Sequence, residues 1–141
     1  MVRPYLLAAT LFAGPAFAAS PIEGRWTNPA RSVTVRIAPC GPAAMCGRVV
    51  GATPEARAKA AAAGTPRLIG TELMSRLVPV GEGAWRGEFF VPDRNMRAPG
   101  ELRLIGPRAL EIEGCAMSGL LCKTQLWARV AEPRKTRRRR R

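Results

Sequence analysis

The 141-residue chain has no histidine, a single tyrosine (Tyr5), and 10 acidic side chains against 23 basic ones. The missing histidine removes the commonest general base, the commonest neutral metal ligand and the serine-type triads together. The four cysteines include no Cys-x-x-Cys, and with no imidazole to activate them they make poor catalytic thiols. Their spacings, Cys40/Cys46 and Cys115/Cys122, are wider than those of zinc ribbons. No enzymatic activity, cofactor or metal is therefore expected. Beyond residue 18 no apolar stretch is long enough to cross a bilayer. A chain of this length makes one small domain and not two.

What is present begins with an export signal. Arg3 supplies a short positive segment, Tyr5 to Ala13 an apolar run, and Gly14-Pro15 a break. Ala16-Phe17-Ala18 is a small-x-small cleavage site, so residues 1–18 are read as a signal peptide and the mature protein as periplasmic or secreted. Export changes the meaning of the cysteines. In an oxidising compartment four of them make two disulfides, with three connectivities open. The expected pairing is the local one, Cys40 with Cys46 and Cys115 with Cys122, each stapling a short loop.

From residue 19 to 132 the pattern is that of a β domain. Val33, Val35 and Ile37 alternate with Thr34 and Arg36, the signature of a half-buried strand. Cys40 to Gly47 reads as a tight loop that returns through Arg48 to Gly51. Thr53-Pro54-Glu55 then offers a cap, a first-turn proline and a first-turn acid, and Gly64 a stop, so the Ala-rich stretch between is read as a short helix, with a flexible loop as the alternative. Leu68 to Val80 reads as a strand bent at Gly70. Trp85, Gly87, Phe89 and Val91 share one face of the next strand. Pro92 to Asn95 is a turn, Glu101 to Ile105 a strand, and Ala109 to Gly114 a strand with Leu110 and Ile112 inward. Lys123 to Val130 closes the series. Trp127 and Gln125 share a face opposite Leu126 and Ala128, so either Trp127 packs outside beneath the helix or its own face is the inner one. About eight short strands at regular turn spacing, joined by short loops, predict an up-and-down antiparallel barrel.

These residues resemble a known family. The matching pieces are Gly24-Arg25-Trp26, Val33 to Gly41 with its Pro39-Cys40-Gly41 end, and Cys46 to Val50. They continue through Trp85-Arg86-Gly87, Val91-Pro92-Asp93, Ile112 to Cys115, and Cys122 to Val130 with Thr124-Gln125 and Trp127. The chain resembles, over about Ile22 to Val130, the bacterial exported family catalogued as domain of unknown function 2147, which implies no established activity. The family's Gly-Lys-x-Tyr-like segment after the Pro-Asp turn is replaced here by Asn95 to Ala98. The ends are also similar to lipocalin-like barrels, whose first strand carries Gly-x-Trp and whose last carries an Arg stacked on that indole. That resemblance implies an all-β, small antiparallel lipocalin-like β-barrel of about eight strands with one short helix, closed at one end by Gly24, Trp26 and Arg129.

Candidate sites follow. Trp85, Phe89 and Val91 either line a cavity for a small apolar or amphipathic ligand or form plain core. Glu111 and Glu113 share an outer strand face and are read as solvated, with Lys123 or Arg129 across the ladder as partners. Residues 133–141 form a polybasic tail, with seven of the last eight side chains cationic, expected to be disordered. Such a tail is a solvated extension or an attachment to an anionic envelope surface, at roughly 1 kcal/mol per cation. Export and the lack of interleaved aromatics argue against nucleic acid. The function expected is an exported, disulfide-stapled barrel with a small ligand. The alternative is a protein-interaction module, an envelope inhibitor or assembly factor, with no small-molecule ligand.

Overall fold

In a computed structural model the described residues are 19–116 and 121–134. The segment 1–18, expected from the sequence to be a signal peptide, and the tail from residue 135 onward lie outside them. The elements, in chain order, are β1 (Gly24–Thr27), β2 (Val33–Gly41), β3 (Ala44–Ala52), α1 (Pro54–Ala62), β4 (Glu72–Gly81), β5 (Ala84–Val91), β6 (Met96–Leu104), β7 (Ala109–Ala116) and β8 (Leu121–Val130). Each strand pairs antiparallel with the next, and β1 pairs with β8 through Trp26 opposite Arg129, which closes an eight-stranded barrel. No helix among the described residues is long and apolar enough to cross a membrane.

Alternation decides what goes inside. Trp26, Val35, Ile37, Val49, Met74, Leu77, Leu102 and Leu110 are all under 2% exposed, and they come from six of the eight strands. The interior is filled by pairing large side chains with glycines. A Cβ on Gly47 would lie 2.9 Å from the Met74 sulfur, and one on Gly87 would lie 2.9 Å from the Leu77 side chain. At these two positions a neighbour's bulk covers the bare backbone and no void is left.

Three strands run further than the alternation suggested. β2 and β3 extend through the first cysteine pair, leaving Pro42 and Ala43 as the turn, with Cys40 at a register shift. β6 begins at Met96, five residues before Glu101, although it contains Pro99 and Gly100. Pro99, opposite Glu88 on β5, lies just before the ladder to β7 begins at Gly100, so one side of its backbone is unpaired. β4 begins only at Glu72, and its irregularities fall at Leu73 and around Arg76, which has φ of 50°, and not at Gly70.

The helix forms as its caps dictate. The Thr53 hydroxyl accepts a hydrogen bond from the Ala56 amide at 3.2 Å, Pro54 occupies the first turn, and Gly64 follows the end at φ 112°. Ala60 is the helix's one buried residue, joined in the core by Leu68 from the following segment. With so small an apolar face the cap matters. Thr53→Ala should lower stability by about 1 kcal/mol, read as a shift in the urea midpoint. Amide exchange should accelerate in α1 and not in the strands.

Both disulfides are present. Cys40 and Cys46 are bonded with Cα atoms 5.6 Å apart, and Cys115 and Cys122 with Cα atoms 4.1 Å apart. Disulfides persist in oxidising compartments, which marks the chain as non-cytoplasmic. Each closes a short loop and contributes roughly 2 kcal/mol by restricting the unfolded chain.

Candidate functional site

The barrel has two unlike ends. At one, which we call the floor, lie the turns after β2, β4 and β6 and the entry to β1. At the other, the mouth, lie the loop after β1, the α1 segment, the turn after β5, the end of β7 and the start of β8.

The floor is sealed. Trp26 is fully buried and its indole N–H donates to the Ile22 carbonyl at 2.9 Å. The Arg129 guanidinium stands over the Trp26 ring, 4.2 Å from its centroid. Its Nε donates to the Pro107 carbonyl at 2.9 Å, Nη1 to Glu23 at 3.0 Å and Nη2 to Pro21 at 2.7 Å. One planar cation therefore ties the last strand to the entry segment and to the turn after β6. Gly24 is required beneath it, because a Cβ there would lie 2.8 Å from Nη1 and the backbone sits at φ 134°.

The mouth is built differently. α1 and the segment after it cover the side formed by β2 to β5. The Thr53 amide donates to the Ser32 carbonyl, and Gly64 comes near the Asn95 side chain in the turn after β5. On the other side the inner positions step from β6 to β8 as Gly100, Gly114 and Lys123, directly opposite one another. Phe89 lies over Gly100, its ring carbons 2.5 Å from where a Cβ would be. Over Gly114 there is open space, with no atom of the described residues within 4 Å of a Cβ position. Lys123 is exposed, and no carboxylate is paired with it among the described residues. One step toward the floor lies the row Leu102, Ile112 and Gln125. The Gln125 side-chain oxygen accepts the Trp127 indole N–H at 3.0 Å. That bond assigns the amide orientation, so the Gln125 nitrogen presents donors only.

The structure decides the readings left open for Trp127, Trp85 and Phe89, and corrects the one for Lys123 and Arg129. Trp127 is 8% exposed and faces inward, while Leu126 is 57% exposed on the outside. Lys123 and Arg129 share that inner face, so neither is a partner for Glu111 or Glu113. Glu113 instead faces Thr124, at 3.4 Å, and Glu111 stands opposite Leu126. Trp85 and Phe89 are buried in the core cluster, and Val91 is half-buried at the rim. Cys115, Cys122 and Glu113 gather their ligand-type atoms within 4.8 Å, but both sulfurs belong to the disulfide. Two outer-wall concavities are also formed. The larger, about 290 Å³, is lined by Arg76, Gly87, Glu88, Arg97, Ala98 and Pro99. The smaller, about 140 Å³, is lined by Glu101, Arg103, Glu111 and Glu113. Their charges are largely satisfied by Arg97–Glu88, Arg86–Glu101 and Arg103–Glu101 pairs.

With this geometry in view, comparison with known proteins is informative. The bacterial family described as "Uncharacterized protein conserved in bacteria (DUF2147)" matches residues 24–129. The chain belongs to that family. The match spans the DUF2147 barrel from the glycine under Arg129 to Arg129 itself. Among solved structures, the DUF2147 barrel is similar to protein HP1028 from the human pathogen Helicobacter pylori, described as belonging to the lipocalin family. The TM-score is 0.61 at 14% identity, covering 79% of this chain and 84% of that one. At that identity the likeness establishes a lipocalin-like fold. No curated protein matches the chain.

Proposed function

We propose that this DUF2147 chain is an exported, non-enzymatic barrel of the periplasm or the secreted fraction that holds a small apolar or amphipathic molecule at its mouth. One observation carries the reading. The inner wall is sealed at the floor by Trp26 and Arg129, yet among the described residues nothing covers Gly114 beside Lys123. A small barrel with nothing to hold can fill every inner position with side chains. Here one is left uncovered by the described residues, between an aromatic wall and a polar one, the usual composition of a ligand site. The export signal and the two disulfides support the compartment. The basic tail supports retention near an anionic envelope surface.

The test is to fill the space. Gly114→Leu should change stability by no more than about 1 kcal/mol, because the new side chain meets open space. It should weaken uptake of a neutral apolar dye such as Nile red at least tenfold. Unchanged dye binding in a well-folded Gly114→Leu protein would refute the site. No dye binding by the natural protein would refute the function.

A further inference from the structure

Resting on the reading that the basic tail retains the chain near an anionic envelope surface, we infer that the floor of the barrel is a membrane-facing surface. It settles on an anionic phospholipid bilayer and turns the mouth away. Two features of unlike chemistry meet at that end. The first is apolar. Val78, Val80 and Ile105 are each at least 40% exposed. Val78 and Val80 lie just before β4 ends at Gly81, and Ile105 directly follows β6. The pairing of β3 with β4 runs out at Leu77, so the Val78–Gly81 end stands clear of β3. Backbone hydrogen bonds join this end of the barrel into one surface. The Leu104 amide donates to the Gly83 carbonyl at 2.9 Å, the Ile105 amide to Ala109 at 2.8 Å and the Arg129 amide to Arg108 at 3.0 Å.

The second feature is cationic. Those bonds lead to Arg129, one residue before β8 finishes at Val130. Val130 stands opposite Arg25, near the start of β1, and Arg25 stands opposite Arg36. Glu132 pairs with Arg36, which fixes the root of the tail on the outer wall there. Arg134 is exposed two residues on, and Lys135 and Arg137 to Arg141 follow in the sequence. Arg108, in the turn after β6, is also exposed, and no carboxylate pairs with it among the described residues.

Each feature narrows the partner. Pro79, between the two valines, has no N–H to offer, so the free end of β4 is a poor template for an added strand. That favours a non-directional apolar partner over a peptide. The cations select phosphate-bearing headgroups. A nucleic acid would use the cations and leave Val78, Val80 and Ile105 in water, and no aromatic side chain is exposed among the described residues to stack its bases. A bilayer of anionic lipid takes both features, and stable attachment to a bilayer needs two such signals together.

One acid opposes the contact. Glu82 is exposed at the tip of the turn after β4, on the floor, while Asp93 is exposed in the turn after β5, at the mouth. The two make a matched test of orientation. The experiment measures co-sedimentation of the full chain, exported and purified with its disulfides intact, with vesicles of phosphatidylglycerol and phosphatidylcholine in equal parts. Binding should be about tenfold weaker or worse to phosphatidylcholine alone, and a chain ending at Pro133 should lose a similar factor. Glu82→Lys should tighten binding about fivefold. Asp93→Lys makes the same change of charge but lies more than a screening length from the surface, so it should move binding less than about twofold. Val80→Ser combined with Ile105→Ser should weaken binding about threefold or more. Leu126→Ser, at a more exposed apolar position in the middle of β8, should leave it unchanged.

Equal effects of Glu82→Lys and Asp93→Lys, or undiminished binding with Val80→Ser and Ile105→Ser, would overturn this inference and leave retention by the tail standing. Undiminished binding by the chain ending at Pro133, or to the neutral vesicles, would overturn both. So would tighter binding to a single-stranded oligonucleotide than to the anionic vesicles, or no binding to those vesicles at all.

Discussion

Arg129→Ala should be the most damaging single polar substitution in the domain, lowering the unfolding free energy by about 3 kcal/mol. The guanidinium makes three hydrogen bonds to carbonyls of Pro21, Glu23 and Pro107 and stacks on Trp26. Hydrogen bonds from a charged donor contribute roughly 1.5–3 kcal/mol each when removal strands the partner, and the ring contact adds about 0.5–2 kcal/mol. The total is smaller than the sum. Two of the bonds lie at exposed positions, where water replaces the lost donor. The comparison variant is Arg103→Ala, whose ion pair with Glu101 is exposed on the outer wall. It should cost less than about 0.5 kcal/mol. Urea unfolding followed by intrinsic tryptophan fluorescence checks both, with an unchanged slope confirming that stability and not compactness has moved. Arg129→Lys should recover less than half of the loss, because an ammonium cannot span three carbonyls in one plane. A loss below about 1 kcal/mol for Arg129→Ala would mean that the floor is held by apolar packing alone.

The same residue shows how far the sequence alone reaches. Gly24, Trp26 and Arg129 had the right types and order, and the structure places the cation 4.2 Å from the indole centroid. Trp26 and Arg129 stand 103 positions apart in the chain, and only the closure of β1 on β8 makes them neighbours. Strand number, sequential order and helix caps were legible because each rests on local signals: alternation, turn residues and the Thr53-Pro54 start.

The inner face of β8 was not legible from hydrophobicity. Leu126 and Ala128 are apolar and face out, while Lys123 and Gln125 are polar and face in. A signal was nevertheless present. If Cys115 and Cys122 sit opposite each other, parity puts Gln125 opposite Ile112 and Trp127 opposite Leu110, which is the observed register. A cross-strand disulfide is thus a better guide to orientation here than the side chains beside it. β6 was shortened for a related reason. Pro99 and Gly100 argue against a strand as residue types, and only their neighbours explain why the strand tolerates them.

Gly100→Ala is the second large effect, and it should go against the usual sign. Replacing a strand glycine with alanine ordinarily stabilises by roughly 0.5–1 kcal/mol through the entropy of the unfolded chain. At Gly100 the added Cβ would lie 2.5 Å from two Phe89 ring carbons and 2.7 Å from the Glu113 carbonyl oxygen. The ring is buried against the core, and the carbonyl belongs to the backbone of β7, so neither gives way without moving a strand. Overpacking of this kind costs about 1–3 kcal/mol, and we expect Gly100→Ala near the upper end of that range. Gly114 is directly opposite Gly100 on the neighbouring strand. No atom of the described residues lies within 4 Å of its Cβ position, so Gly114→Ala should be neutral or stabilising.

Two adjacent glycines on one face should therefore respond with opposite signs, and matched denaturant curves for the two variants would show it. Adding Phe89→Leu to Gly100→Ala should recover part of the loss by removing the ring, but not all of it, because the Glu113 carbonyl remains. A full recovery would place the whole strain in the aromatic contact. No recovery would place it in the approach of β6 to β7. An equal loss at both glycines would mean that the space over Gly114 is not open, and the site proposed at the mouth would fall with it.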